Sequence, residues 1–370
     1  MFRFRQALLV TLLGMGAAAL LIFPSEVAAA ARESARLAFV SVLPTLFPFL
    51  VAAELLISLR VTHSAGRLLG GMMPRLFRQP REAAPVLLLG MLSGYPVGAA
   101  AARRLYEEGG CNAVQIFTCN LVRRALCNNS GPAFVVGVVG AALWNSPRVG
   151  WMLYACHIAA ALLSGALLAV GSPLPPASRR REVPKAGPLF PAFVSAVKNS
   201  AMTCLFIAAF VIFFGVVISL VPTGNGTAGA LLSGLLEMTN GVTKTATLTL
   251  SPHLRLALQS FLIGAAGLSI LCQVASVLDG SGLSLTPYCY GKLLQGAIAL
   301  LLTLLLYPLF PQEVSVMLPI TPELTLSGFA LLAAMTVGSF LVSVGIVLVF
   351  STLTEAAIRR KSRGQKRNDL

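Results

Sequence analysis

Apolar residues run along this chain in long, nearly unbroken stretches, at 7–23, 37–59, 83–102, 149–170, 191–221, 230–250, 254–278, 287–310 and 324–357. A membrane-spanning helix needs roughly 20 such residues, because the hydrocarbon core is about 30 Å thick. The runs are continuous and do not alternate, which excludes an outer-membrane barrel. They predict an all-α polytopic membrane protein.

Some runs are interrupted by residues that free the backbone. Ser93-Gly94-Tyr95-Pro96-Val97-Gly98 breaks the third, Asn128-Asn129-Ser130-Gly131-Pro132 breaks the segment that follows, and Glu237-Met238-Thr239-Asn240-Gly241 breaks 230–250. The span 254–278 has a soft centre at 264–269. In lipid an unsatisfied backbone group costs several kcal/mol, so such breaks belong inside a protein or beside a water-filled cavity.

The charges orient the runs. Arg3 and Arg5 place the N-terminus in the cytoplasm, and the second run returns to Arg60, Arg67, Arg75, Arg78 and Arg81. Residues 27–30 are small enough for signal cleavage, so removal of the first helix stays open; cleavage would not change the later orientations. Arg81 on one side of 83–102, and Arg103 and Arg104 on the other, favour a re-entrant hairpin over a full crossing. The basic stretch Arg179, Arg180, Arg181 and Lys185 then falls inside, as does the tail 359–367. Arg32, Arg36, Arg148, Lys244 and Arg255 fall outside.

The result is about eight transmembrane helices plus two re-entrant hairpins, as an inverted repeat. An N-terminal span occupies 1–34, a first repeat 35–171, a basic cytoplasmic linker 172–190 and a second, inverted repeat 191–310. A last span and basic tail fill 311–370. Each repeat has the order full span, broken hairpin, broken span, full span. Inverted repeats with helices interrupted at matching places are the architecture of secondary transporters, which bind substrate at mid-membrane between the breaks.

Composition agrees. The 370 residues are 56% hydrophobic and 11% charged, against roughly 25% charged in a soluble domain, and mean hydropathy is +0.82. The net charge of +15 lies in short loops and termini without interleaved aromatics, which argues for membrane orientation and against nucleic acid. Seven scattered cysteines without CxxC spacing read as small packing residues, and His63, His157 and His253 stand isolated in the sequence. No Ser-His-Asp set or Walker loop occurs, so neither an enzyme nor an ATP-driven pump is expected, and no cofactor.

The polar residues at the breaks are the candidate site. Ser93, Gly94, Tyr95 and Pro96 form the first hairpin tip. Asn128, Asn129 and Ser130 form the densest group of donors and acceptors in the buried stretches, and the half-helix after Pro132 turns its positive end toward them, which favours an anionic ligand. Arg123 and Arg124 lie one turn earlier. An arginine within a span costs at least about 2.5 kcal/mol, so it faces a polar cavity and grips a carboxylate bidentately, snorkels, or pairs with Glu54 or Glu237. Glu237, Thr239 and Asn240 form the second tip. Glu237 has three roles open: proton coupling, cation binding, or pairing with an Arg or Lys244. Ser269 and Gln273 complete the lining. The expected partners are a small anionic substrate, the lipid bilayer and a coupling proton or sodium ion; a homo-oligomer is compatible with the pattern.

The stretch Ser41-Val42-Leu43-Pro44-Thr45-Leu46-Phe47-Pro48-Phe49, the 93–98 and 237–241 motifs and Cys127-Asn128-Asn129-Ser130-Gly131-Pro132 together resemble the YlbJ (SpoVV) family of sporulation integral membrane proteins. The similarity extends over roughly 37–357. It implies nucleoside-recognition (Gate) domains, similar to concentrative nucleoside transporters, with substrate held at two hairpin tips and two broken helices. It implies a role in endospore formation, moving dipicolinic acid across the outer forespore membrane. A nucleoside or nucleobase carrier and a non-transporting scaffold for spore-envelope assembly are the alternatives.

Overall fold

A computed structural model describes residues 14, 16–59, 69–107, 128–172, 188–221, 224, 226–281 and 285–309. Every regular element among them is helical. Helix α1 (Pro24–Arg36) continues through a π-helical segment (Leu37–Val42) into α2 (Leu43–Ser58). The stretch between the first two apolar runs is therefore helical, where the charge pattern predicts an outer loop. Its alanines are the best helix formers, and Pro24 sits in the first turn, where a missing N–H costs nothing. The boundary read at residue 34 falls inside this continuous helix.

A short helix α3 (Met72–Phe77) leads to the first hairpin, α4 (Ala84–Leu92) and α5 (Val97–Glu107), whose arms pack on each other. Non-helical residues 128–131 lead into the π-helical α6 (Ala133–Leu143) and the span α7 (Pro147–Leu167). Ser146 caps α7, accepting the Val149 N–H at 3.4 Å, with Pro147 following it. The second half has the 32-residue α8 (Leu189–Leu220), a hairpin of α9 (Thr227–Leu236) and α10 (Met238–Ala246), a broken helix α11 (Pro252–Ala265) and α12 (Gly267–Leu278), and the span α13 (Thr286–Leu306). Interruptions thus stand at each place where the sequence predicts one.

Five helical stretches among the described residues are long and apolar enough to cross a membrane: Pro24–Leu56, Pro147–Leu167, Leu189–Leu220, Pro252–Leu278 and Thr286–Leu309. Residues 7–13 and 15 of the first apolar run, and the whole run at 324–357, lie outside the described residues. The chain is an all-α polytopic membrane protein.

Packing explains the sequence of α8. Ala196, Ser200, Cys204, Ala208, Val211 and Gly215 recur every three or four residues and are buried, while Phe190, Phe193, Leu205, Phe206 and Phe213 are exposed. Without a hydrophobic drive between helices in lipid, small residues are what allow close backbone approach. The small face packs on α1 and α2, and the large apolar face is left for lipid. On the far side, α13 packs against α11 and α7.

Each hairpin tip abuts the break of its own half. Gly94, at φ +79°, lies so close to the first break that a Cβ there would stand 3.1 Å from the Gly131 nitrogen. At the second, Gly267 has φ +75°, and its Cβ would come within 2.7 Å of the Gly234 carbonyl oxygen. Only glycine meets both demands at little cost. The halves also cross: α5 packs on α12, and α10 on α6.

Candidate functional site

Both tips, the first break and the helix that follows the second break meet around one partly open cavity of about 60 Å³. One wall is apolar and comes from the lead helices: Val42, Leu46, Phe49 and Leu50 with Ile207 and Val211 of α8. The rest of the lining mixes polar groups with Ala133, Phe134, Met238 and Ile270. Ser93, Gly94 and Tyr95 come from the first tip, Ser130 and Gly131 from the first break, Glu237 and Thr239 from the second tip, and Gln273 from α12.

The second tip is held by its own carboxylate. Glu237 is the N-cap of α10, accepting the Thr239 N–H at 3.0 Å, the Asn240 N–H at 2.7 Å and the Asn240 side-chain amide at 2.9 Å. A carboxylate there is stabilised by otherwise orphaned amides and by the positive end of the helix. Lys244 instead donates to Ser233 Oγ at 2.8 Å. Of the roles open to Glu237, pairing with Lys244 is not the one adopted.

The first break is held from across the molecule. Asn128, Asn129 and Ser130 are at most 1% exposed. Asn128 donates from Nδ2 to Tyr288 Oη at 2.8 Å, and its carbonyl accepts from Lys292 Nζ at 3.1 Å. Asn129 Oδ1 accepts from Gln295 Nε2 at 2.8 Å, and the Ser130 N–H donates to His157 Nε2 at 3.0 Å. Gln295 Oε1 in turn accepts from Lys292 at 2.7 Å. Tyr95 donates its hydroxyl to the Ile263 carbonyl of α11 at 3.3 Å, and Lys292 Nζ lies 5.2 Å from its ring centroid. The Tyr95–Pro96 peptide bond is cis.

Of the residues predicted from sequence, Ser93, Gly94, Tyr95, Ser130, Glu237, Thr239 and Gln273 line the cavity. Asn128 and Asn129 do not; they serve the network behind it. Pro96 and Asn240 support their tips. Ser269 is fully buried outside the lining, and its hydroxyl has no hydrogen-bond partner among the described residues. Arg123 and Arg124 lie outside the described residues.

Sequence reasoning missed Lys292, Gln295, Tyr288 and His157. A lone lysine inside an apolar run is a usable signal, since ionisable groups within spans face the bundle interior. Its partner Asn128 stands 164 positions away in the chain, and no local pattern links the two. His157, isolated in sequence, is buried in the network. Arg255 is corrected as well: it is only 8% exposed, donates to the Ala246 carbonyl at 2.6 Å and lies 4.9 Å over the Trp144 ring, so it is no outer-loop residue. Trp144 also donates to Gln259 Oε1, at 2.6 Å.

No family model matches the chain, and no solved structure is significantly similar to it. The chain is similar to the sporulation integral membrane protein YlbJ of Bacillus subtilis (strain 168), with 28% identity over a 309-residue alignment covering 73% of this chain and 75% of that protein. That similarity spans most of both chains. Over most of its length the chain is thus similar to a sporulation integral membrane protein.

Proposed function

We propose that this protein is a secondary transporter that moves a small anionic aromatic metabolite, dipicolinate, across the outer forespore membrane of a sporulating cell. The observation that carries the reading is the convergence of two hairpin tips, the non-helical residues 130 and 131 and the half-helix α12 on one cavity, since discontinuous helices in a bilayer are retained where they line a substrate path. The apolar wall and the Tyr95 ring suit the faces of an aromatic ring. Ser93 Oγ, buried with no hydrogen-bond partner among the described residues, is a ready donor to a carboxylate. The Glu237 charge is spent on the α10 amides and so opposes an anion less than a free carboxylate would. Arg123 and Arg124 supply further carboxylate contacts. Alternating access comes from rocking or elevator movement of the rest of the lining against the lead helices, driven by a proton or sodium gradient where flux is uphill.

The test is dipicolinate flux into proteoliposomes. Wild-type protein should raise it well above protein-free vesicles. Replacing both Arg123 and Arg124 by Gln should lower it at least about tenfold, because removing one partner of a buried charged pair typically costs about 2–5 kcal/mol. Wild-type flux from the double variant would reject the carboxylate role. Nucleoside flux without dipicolinate flux would move the assignment to a nucleoside carrier, and no flux of either would favour a scaffold.

A further inference from the structure

The two halves are tied together at points remote from the cavity. One tie joins α10 to α6, the half-helix that leads away from the first break. Arg255 and Gln259 stand four residues apart on α11 and so share a face. Gln259 donates from Nε2 to the Val242 carbonyl at 3.0 Å, and Arg255 from Nη1 to the Ala246 carbonyl at 2.6 Å. These carbonyls are also four residues apart, on the last turns of α10. From the other half, Trp144, the C-cap of α6, donates its Nε1–H to Gln259 Oε1 at 2.6 Å, and its ring lies 4.9 Å from the Arg255 guanidinium. One indole thus meets both of the side chains that hold α10.

The other crossing of the halves has a similar tie. Arg103 of α5 donates to the Val277 carbonyl at 2.8 Å, near the end of α12. In both crossings a guanidinium takes a carbonyl at the end of a half-helix whose other end starts at a tip or a break.

Stability alone does not account for the tie at Trp144. Trp144, Arg255 and Gln259 are all buried, and Arg255 Nε has no hydrogen-bond partner among the described residues. Apolar side chains of similar volume often hold helices together at least as firmly as a buried charged cluster. What the hydrogen bonds add is direction, because each fixes the height and rotation of α10 relative to α11 and α6. Glu237 caps the opposite end of α10, nine residues of helix away, or roughly 13 Å. The near end of α6 likewise meets the cavity, through Ala133 and Phe134.

The geometry points to Trp144, Gln259 and Arg255 as positioning residues of the cavity. By locking the far ends of α6 and α10 together, they hold the second tip in register with the first break, so that the tip does not open alone. The inference rests on the reading of this cavity as a transport site, and not on which substrate fills it.

The experiment uses the full-length protein in proteoliposomes, with the seven native cysteines replaced and Thr239→Cys, at a position that lines the cavity, as the reporter. The measurement is the rate at which a small thiol reagent labels the reporter without substrate, beside the melting temperature of the same preparation. Trp144→Phe keeps a ring and removes the N–H that Gln259 Oε1 accepts. It should lower the melting temperature and speed labelling at least about threefold. Adding Gln259→Met removes the stranded amide, and loss of both partners is nearly neutral for stability. In this double variant melting should return toward that of the reporter protein while labelling stays fast; it carries the test if Trp144→Phe does not fold. Arg255→Met, which frees the Ala246 carbonyl, should also speed labelling. Recovery of melting and labelling together in the double variant would make the cluster a stability element and overturn the inference, as would labelling at the reporter's own rate in every variant. Absence of dipicolinate flux through the wild type would overturn the transport reading alone, since the labelling needs no substrate.

Discussion

Gly241→Val should leave almost no transport and little folded protein. The arms α9 and α10 of the second hairpin cross where Gly241 meets Gly234, and a Cβ on Gly241 would overlap the Gly234 backbone. Gly234 cannot retreat: its other side faces Leu262, whose side-chain carbons stand 2.6 Å from where its own Cβ would be. Overpacking against flexible side chains costs typically about 1–3 kcal/mol, and here the obstacle is backbone. The arms must separate, and separation moves Glu237, four residues before Gly241, out of the cavity wall. Detergent-solubilised protein should melt several degrees lower or fail to be recovered, and flux should fall below about a tenth of wild type. Gly71→Ala, where a Cβ meets open space, should leave both unchanged. Normal flux from Gly241→Val would mean that the crossing of the arms does not position the tip.

The second large effect is expected at Glu237. Alanine removes a cap worth about 0.5–2 kcal/mol and leaves the Thr239 and Asn240 amides without their acceptor. The first turn of α10 then loosens at the point where Thr239 meets the cavity. Flux from Glu237→Ala should fall at least about tenfold, with a stability loss of about 1–2 kcal/mol. Glu237→Asp separates the two effects. Aspartate is among the best N-caps, so stability should return, while the carboxylate withdraws from the wall by one methylene and flux stays reduced. Melting curves and proteoliposome flux, measured on the same preparations, check both. Wild-type flux from the alanine variant would make Glu237 a structural cap only.

The breaks were legible in the sequence because their causes are local. Glycine with positive φ, proline and clustered asparagine stop a helix wherever they occur, and 93–96, 128–132 and 266–267 are interrupted for those reasons. The start of α1 was misread because charge and small residues suggested a loop where helix propensity and the packing of α8 favour a helix. The direction of the polar side chains was not legible. Asn128 and Asn129 look like ligand contacts in isolation, yet their partners Tyr288, Lys292 and Gln295 are contributed by the last described span. Which face of a break meets the cavity and which meets the protein depends on how the two halves pack. Nothing local specifies that.

The central claim is that substrate occupies the cavity between the tips and the breaks. Ser93 lines it, is 5% exposed and has a hydroxyl without a hydrogen-bond partner among the described residues, so a cysteine there reports on occupancy at little structural cost. The measurement is the rate at which a small thiol reagent labels Ser93→Cys in a background with the seven native cysteines replaced, with and without dipicolinate. The account predicts that dipicolinate slows labelling severalfold, with a concentration dependence that matches flux. Labelling unaffected by dipicolinate at concentrations that saturate flux would place the substrate elsewhere and contradict the account.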